Sequence, residues 1–331
     1  MTIAIISIIV GLVGLIWSAD RFVTGAAGLA RNMGMAPMMI GLTIVALGTS
    51  APEIVVAISA AIDNASKLAV GNAIGSNLAN IGLVLGVTAL ITPIPIAYAL
   101  LKREIPILLA ATIGAGFLIY DGELSILDGV ILLAGLAAIF YYLITCKSHQ
   151  PDAELEAELE DIPDIPSNRA WRLFILGLVL LIISSHIVVT GAKEIALALG
   201  ISELAVGLSV VAIGTSLPEL AATVASALKG HHDIALGNIV GSNLFNLLAV
   251  MAMPALINPP KLEAEVFSRD YMSMAAITFI LAGMVFAHKL WAHFSTRQNL
   301  PGMTKKIKST IGRLEGTALL VAYIAYLSIL F

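Results

Sequence analysis

Apolar runs about as long as a bilayer is thick recur along the whole chain, separated by short polar breaks. A helix crossing the hydrocarbon needs about 20 mainly apolar residues. Ten runs meet that length approximately: 3–18, 37–62, 68–91, 105–120, 128–145, 172–190, 204–228, 234–257, 271–288 and 315–331. The first begins Met1-Thr2-Ile3-Ala4 with no basic residue, so it reads as a first span rather than a secretory signal. One long polar stretch, 146–170, interrupts the series; it carries Asp152, Glu154, Glu156, Glu158, Glu160, Asp161 and Asp164 between Pro151, Pro163 and Pro166. It reads as a solvated acidic tether, too short to fold alone.

Composition agrees with this pattern. Of 331 residues 59% are hydrophobic and 12% are charged, and the mean hydropathy is +0.96. That is too little polar surface for two water-facing domains, where about a quarter of residues are charged. A soluble enzyme, a nucleic-acid binder and a disordered scaffold are excluded as first readings. The net charge of −4 points to no partner beyond the bilayer, and the lone Cys146 has no internal cysteine to pair with.

Basic residues set the orientation. With the N-terminus outside, the inner segments hold Arg21, Arg31, Lys102, Arg103, Lys147, Arg169, Arg172, Lys229, Lys289, Arg297, Lys305, Lys306, Lys308 and Arg313, fourteen in all. The outer ones hold four: Lys67, Lys193, Lys261 and Arg269. Both termini are therefore expected outside and 146–170 inside.

The polar residues inside the apolar runs repeat. Gly41-Leu-Thr-Ile-Val-Ala46-Leu-Gly48-Thr49-Ser50-Ala-Pro52-Glu53 recurs 166 residues later as Gly207-Leu-Ser-Val-Val-Ala212-Ile-Gly214-Thr215-Ser216-Leu-Pro218-Glu219. At the same offset Gly71-Asn72-Ala-Ile-Gly75-Ser76-Asn77-Leu-Ala-Asn80 matches Gly237-Asn238-Ile-Val-Gly241-Ser242-Asn243-Leu-Phe-Asn246, and Thr24-Gly25 matches Thr190-Gly191. The shared positions are Gly, Pro, Asn, Ser and Glu, which a membrane helix otherwise avoids. This is a duplication. Five spans per copy is an odd number, so the second copy enters the bilayer inverted. The expected fold is an all-α polytopic membrane protein: a five-helix repeat over 1–145, a linker over 146–170 and an inverted repeat over 171–331. Interrupted helices at matching places in inverted halves point to a transport site near mid-membrane.

Pro52 cannot donate to the carbonyl of Gly48, and Pro218 cannot donate to that of Gly214, so each helix should kink or unwind there. Such backbone is tolerated at depth only around protein or a water-filled cavity. Glu53 and Glu219 follow the breaks, and no Lys or Arg lies in the core of any run. Intramembrane acids are functional by default; the blander possibility is a neutral, hydrogen-bonded glutamic acid. Ala46, Thr49, Ser50 and Glu53 share one helical face, as do Ala212, Thr215, Ser216 and Glu219. Asn72, Ser76 and Asn80 share another, mirrored by Asn238, Ser242 and Asn246. These all-oxygen faces suit hard cations such as Ca²⁺, Mg²⁺ or Na⁺.

Other polar residues read as structural. Gly71 with Gly75, and Gly237 with Gly241, suit close helix packing. Asn77 and Asn243 sit off the oxygen-bearing faces, and Met33, Met35, Met38 and Met39 should pack. Arg103-Glu104 and Arg269-Asp270 read as interfacial flanks. His231-His232-Asp233 is at most a surface metal site. Paired carboxylates could also serve an intramembrane acid hydrolase, but no nucleophile and no His-Glu-x-x-His pattern accompanies them. A cation channel would use the same oxygen-lined broken helices.

The duplicated Gly-Thr-Ser-x-Pro-Glu and Gly-Asn-x-x-Gly-Ser-Asn blocks resemble the alpha repeats of the cation/calcium exchanger superfamily, of the sodium/calcium exchanger type, over nearly the whole chain. The resemblance implies a compact prokaryotic antiporter without cofactor or enzymatic activity, in a bacterial inner membrane. Its Ca²⁺ site would be Glu53, Glu219, Thr49 and Thr215. Its Na⁺ or shared positions would be Ala46, Ser50, Ser76, Asn80, Ala212, Ser216, Ser242 and Asn246. The proton-coupled branch usually shows Gly-Asn-x-x-Glu in the first block, absent here. Members of the sodium type commonly carry Asp where this chain has Asn246. Two formal charges remain, enough to balance one Ca²⁺ or two Na⁺. Proton- or potassium-linked cation exchange is the alternative within the superfamily.

Overall fold

A computed structural model describes residues 2–96, 103–145, 159, 162–199, 212–297 and 310–330. Most of the linker, including Cys146 and the acids from Asp152 to Glu158, lies outside the described residues. So do 204–211 at the start of the seventh expected span and the basic stretch around Lys305.

The helices are α1 (Thr2–Met33), α2 (Pro37–Thr49), α3 (Ala51–Ile62), α4 (Ser66–Ile91), α5 (Ile105–Ile119), α6 (Ile126–Thr145), α7 (Ser167–Ala198), α8 (Ala212–Thr215), α9 (Leu217–Leu228), α10 (His232–Ile257), α11 (Val266–Ala287) and α12 (Arg313–Leu330). Among the described residues seven are long and apolar enough to cross a membrane, and α2 with α3 forms an eighth, bent by 42°. α5 and α9 are shorter apolar helices. The all-helical expectation misses one small ribbon, in which Ile94–Pro95 pairs antiparallel with Thr310–Ile311.

The first and sixth expected spans are longer than their apolar runs. α1 continues past residue 18 to Met33, so Asp20, Arg21 and Arg31 lie on helix rather than in a loop. Asp20 and Arg21 form an ion pair at 2.8 Å, Arg21 stands over the Trp17 ring, and the helix beyond them packs on α7. α7 likewise runs from Ser167, taking Arg169 and Arg172 into its first turns.

α1 and α7 lie against each other along their lengths. Gly25 leaves room for the backbone of Ala170 and Phe174, and Gly191 for Ala4 and Ile8. These contacts interchange when 166 is added or subtracted. Gly11 against Ser184 and Val188 corresponds in the same way to Gly177 against Phe22. With lipid tails as apolar as the side chains, such close approach at small residues is what holds two membrane helices together.

α4 and α10 are central. Their most apolar 18-residue stretches are 72% and 89% buried, against 28% in α1. The cause is their polar content: Asn and Ser in the hydrocarbon must be surrounded by protein. Gly237 and Gly241 seat α10 against Met38, Leu42 and Ala46 of α2, the packing role expected of them. By the 166-residue offset, Gly71 and Gly75 would face 204–212, most of which lies outside the described residues. Met38 and Met39 are buried as expected, whereas Met33 is exposed.

Candidate ion-binding site

Both helix breaks fall at a serine. α2 ends at Thr49, and Ser50 (φ −84°, ψ 3°) separates it from α3; α8 ends at Thr215, and Ser216 (φ −88°, ψ 3°) separates it from α9. In each case Pro is the second residue of the resumed helix, where its missing N–H has no intrahelical partner to lose. The break therefore sits two residues before the proline. Ser185 of α7 donates to the Gly214 carbonyl at 2.8 Å, the acceptor that Pro218 cannot serve. No repeated motif marks Ser185, since position 19 is alanine.

A second irregularity is paired. α4 winds as a wide π turn over Asn80–Leu85, and α10 does so over Asn246–Val250. These begin at residues 166 apart. Such turns concentrate at functional sites because they displace side chains from the regular helical face. The Asn80 turn packs on α9, which carries Glu219; the Asn246 turn packs on α3, which carries Glu53.

Glu53 and Glu219 are buried and near enough for their charges to interact. Ser50 donates to Glu219 Oε1 at 3.2 Å, and Thr49 stands beside the same carboxylate. Thr215 stands correspondingly beside Glu53. No ion pair among the described residues reaches either acid. Glu219 Oε2, Ser76 Oγ, Ser216 Oγ and both side-chain polar atoms of Asn80 and Asn246 are buried without a hydrogen-bond partner among the described residues, and neither Glu53 oxygen has a geometrically good one. Orphaned buried oxygens are costly. Here they cluster on six of the expected site residues, and oxygen donors around two carboxylates fit a hard cation cargo.

The other expected positions are more committed to protein. Thr49 Oγ1 donates to Asn238 Oδ1 at 3.0 Å and lies 3.4 Å from Ser242 Oγ. Asn238 Nδ2 in turn donates to Thr223 Oγ1 at 2.9 Å. Asn238, expected on the oxygen-bearing face, thus ties α2, α9 and α10 together. Asn72 Nδ2 finds no such partner among the described residues, and the position matching Thr223 is Ala57. Thr223, like Ser185, has alanine at the matching position of the first copy, which is why motif reading passed over it. Ala46 is buried, and its carbonyl already accepts from Ser50 N at 2.9 Å. Ala212 begins α8. Asn238→Ala should remove the shortest hydrogen bond of Thr49, which keeps the Ala46 carbonyl and Ser242 within reach, and leave Thr223 unsatisfied in the core; the cost should be about 1–3 kcal/mol, read as a lowered unfolding temperature in detergent.

Asn77 donates to Met274 Sδ and Asn243 to the Ile239 carbonyl, both structural as expected. Glu104 corrects the expectation of an interfacial flank: it is fully buried and paired with Arg103 at 3.2 Å, because Arg103 tucks against Met39 Sδ. Asp270 is held by Arg269 and by the Tyr326 hydroxyl. Around His231-His232-Asp233 no cluster of three metal-ligating side chains forms among the described residues.

The family described as sodium/calcium exchanger protein matches residues 3–145 and 169–331. CaxA of Alkalimonas amylolytica, provisionally named an antiporter, is 43% identical over 100% of this chain and 99% of its own length. The sodium/calcium exchanger MaX1 of Methanosarcina acetivorans is 30% identical over 100% and 99%. The solved sodium-calcium exchanger NCX_Mj superposes with a TM-score of 0.81 at 30% identity, covering 99% of both chains. The polytopic helical membrane fold is thus that of a transporter, not an enzyme. Two broken helices, two displaced asparagines and two buried carboxylates are built on that fold, and the chain belongs to the sodium/calcium exchanger family.

Proposed function

We propose that this protein is a secondary antiporter exchanging Ca²⁺ for Na⁺ by alternating access. Ten spans would form two inverted five-helix repeats, with both termini outside and the 146–170 linker in the cytoplasm of a bacterial cell. The observation that carries the reading is the pair of buried carboxylates, Glu53 and Glu219, with hydroxyl and amide oxygens beside them and no ion pair to a basic side chain among the described residues. Glu53, Glu219, Thr49 and Thr215 would hold Ca²⁺. Ser50, Ser76, Asn80, Ser216, Ser242, Asn246 and the backbone at Ala46 and Ala212 would serve Na⁺ or both ions. The names of MaX1 and NCX_Mj support sodium as the coupling ion. An inner-membrane location is supported by the name of YrbG, the Escherichia coli inner membrane protein that is 37% identical over 85% of this chain.

The two carboxylates balance one Ca²⁺ or two Na⁺, which makes the ions competitors for one charge-neutral site. A tenfold gradient is worth about 1.4 kcal/mol, so two Na⁺ moving down it would sustain roughly a hundredfold Ca²⁺ gradient. Radioactive Ca²⁺ uptake into Na⁺-loaded proteoliposomes diluted into Na⁺-free buffer tests this. Uptake should vanish when the Na⁺ gradient is collapsed. Uptake indifferent to Na⁺ would instead support proton coupling or a channel.

A further inference from the structure

At the linker end of the molecule α1 is fastened to α9. Lys229 Nζ pairs with Asp20 Oδ1 at 2.7 Å and donates to Thr24 Oγ1 at 2.6 Å and to the Asp20 carbonyl at 3.1 Å. Thr24 Oγ1 itself donates to that carbonyl at 2.7 Å. Behind this polar contact Phe22, Val23 and Ala26 of α1 share one buried apolar cluster with Ala222 of α9 and Ile234 of α10.

Displaced by 166 residues, Asp20 becomes His186 and Thr24 becomes Thr190, while Lys229 corresponds to Asp63. The chemistry is kept with its roles exchanged: a carboxylate on the long helix facing an ammonium becomes an imidazole on the long helix facing a carboxylate. An imidazole N–H can donate to a carboxylate in either protonation state. Thr190 Oγ1 donates to the His186 carbonyl at 2.8 Å, reproducing the Thr24 bond. Yet the second set is apart. Asp63, His186 and Thr190 are exposed, no ion pair joins Asp63 to His186 among the described residues, and α7 lacks the packing on α3 that α1 has on α9.

We propose that Asp63, His186 and Thr190 are a second latch, closed only in the conformation in which the Asp20–Thr24–Lys229 latch is open. The inference rests on the alternating-access reading above. α1 and α7 are locked together through their glycines, so they move as one body. Docking that body onto α9 at one end draws it from α3 at the other. The present structure is the conformation closed at the linker end, and the three exposed residues are positioning groups for the opposite one.

Cysteine cross-linking with a bifunctional thiol reagent long enough to span an ion pair, in the full chain, in proteoliposomes and with Cys146→Ser, tests the pairing. The reagent should cross-link Asp20→Cys/Lys229→Cys readily and Asp63→Cys/His186→Cys slowly. Adding Lys229→Asp to the second pair sets two carboxylates against each other at the linker end and should speed its cross-linking at least fivefold; Asp20→Lys should then restore the slow rate. A rate unchanged by Lys229→Asp overturns the proposal. Because charge reversal could perturb folding, exposed His186→Asp offers a second test. It should slow exchange several-fold and raise the Asp20→Cys/Lys229→Cys cross-link, with rescue of exchange by Asp63→Lys; absence of rescue would also overturn the latch. If the Asp20–Lys229 cross-link leaves exchange running, alternating access itself fails. If that cross-link stops exchange while the Asp63–His186 one never forms, only the second latch fails.

Discussion

Proteoliposomes carrying Glu53→Gln or Glu219→Gln should show Na⁺-driven Ca²⁺ uptake no higher than vesicles without protein. Each substitution keeps the side chain's shape and removes one of the two charges proposed to face a divalent cargo. Removing one partner of a buried charge pair costs about 2–5 kcal/mol, or roughly thirty- to several-thousand-fold in Ca²⁺ affinity. Stability should move the other way or not at all. Neither Glu53 oxygen has a geometrically good hydrogen bond to lose among the described residues, and a neutral amide avoids the penalty of a buried carboxylate. Unfolding temperatures in detergent should therefore match or exceed wild type. Exchange at wild-type rate in either variant would remove the carboxylates from the site.

Asn246 sets the second large effect. With two carboxylates the site should carry two Na⁺ against one Ca²⁺, and uptake by the wild-type protein should not respond to a clamped membrane potential. Asn246→Asp places a third carboxylate where the amide's polar atoms now lie buried without a partner. It should admit a third Na⁺ and make exchange electrogenic. One net charge is worth about 2.3 kcal/mol per 100 mV, roughly fiftyfold in the steady-state Ca²⁺ gradient. A voltage response in the wild type would show that charge at the site is completed by some other group.

Much of this arrangement was legible without coordinates. Polar residues in an apolar run have few structural reasons to be there, so the recurrence of Gly48-Thr49-Ser50-x-Pro52-Glu53 at 214–219 marked the broken helices and both acids. The backbone breaks at Ser50 and Ser216 follow from the proline two residues on. Less legible were the ends of α1 and α7, because an apolar run measures the membrane and not the helix. Asp20 and Arg21 looked like the start of a loop, yet their mutual pairing and the contact with Lys229 let the helix continue through them.

The chain's own order of residues determined that the protein is membrane-embedded, that its polar motifs are duplicated and that each copy carries an acid after a proline, because hydropathy, periodicity and an offset are properties of a string. Tertiary structure alone decided which oxygens remain free. Asn238 and Asn246 lie on the same expected face, but Asn238 is spent on Thr49 and Thr223 while Asn246, at the start of the π turn, has no hydrogen-bond partner for its side chain among the described residues. It also decided which of two pairs has formed. Asp20 with Lys229 and Asp63 with His186 are equivalent in sequence; only the packing of α1 on α9 separates the pair that has formed from the pair that has not. A repeat makes the two pairs alike in the string, but packing is a property of the folded chain, and it brings only Asp20 and Lys229 within ion-pair distance.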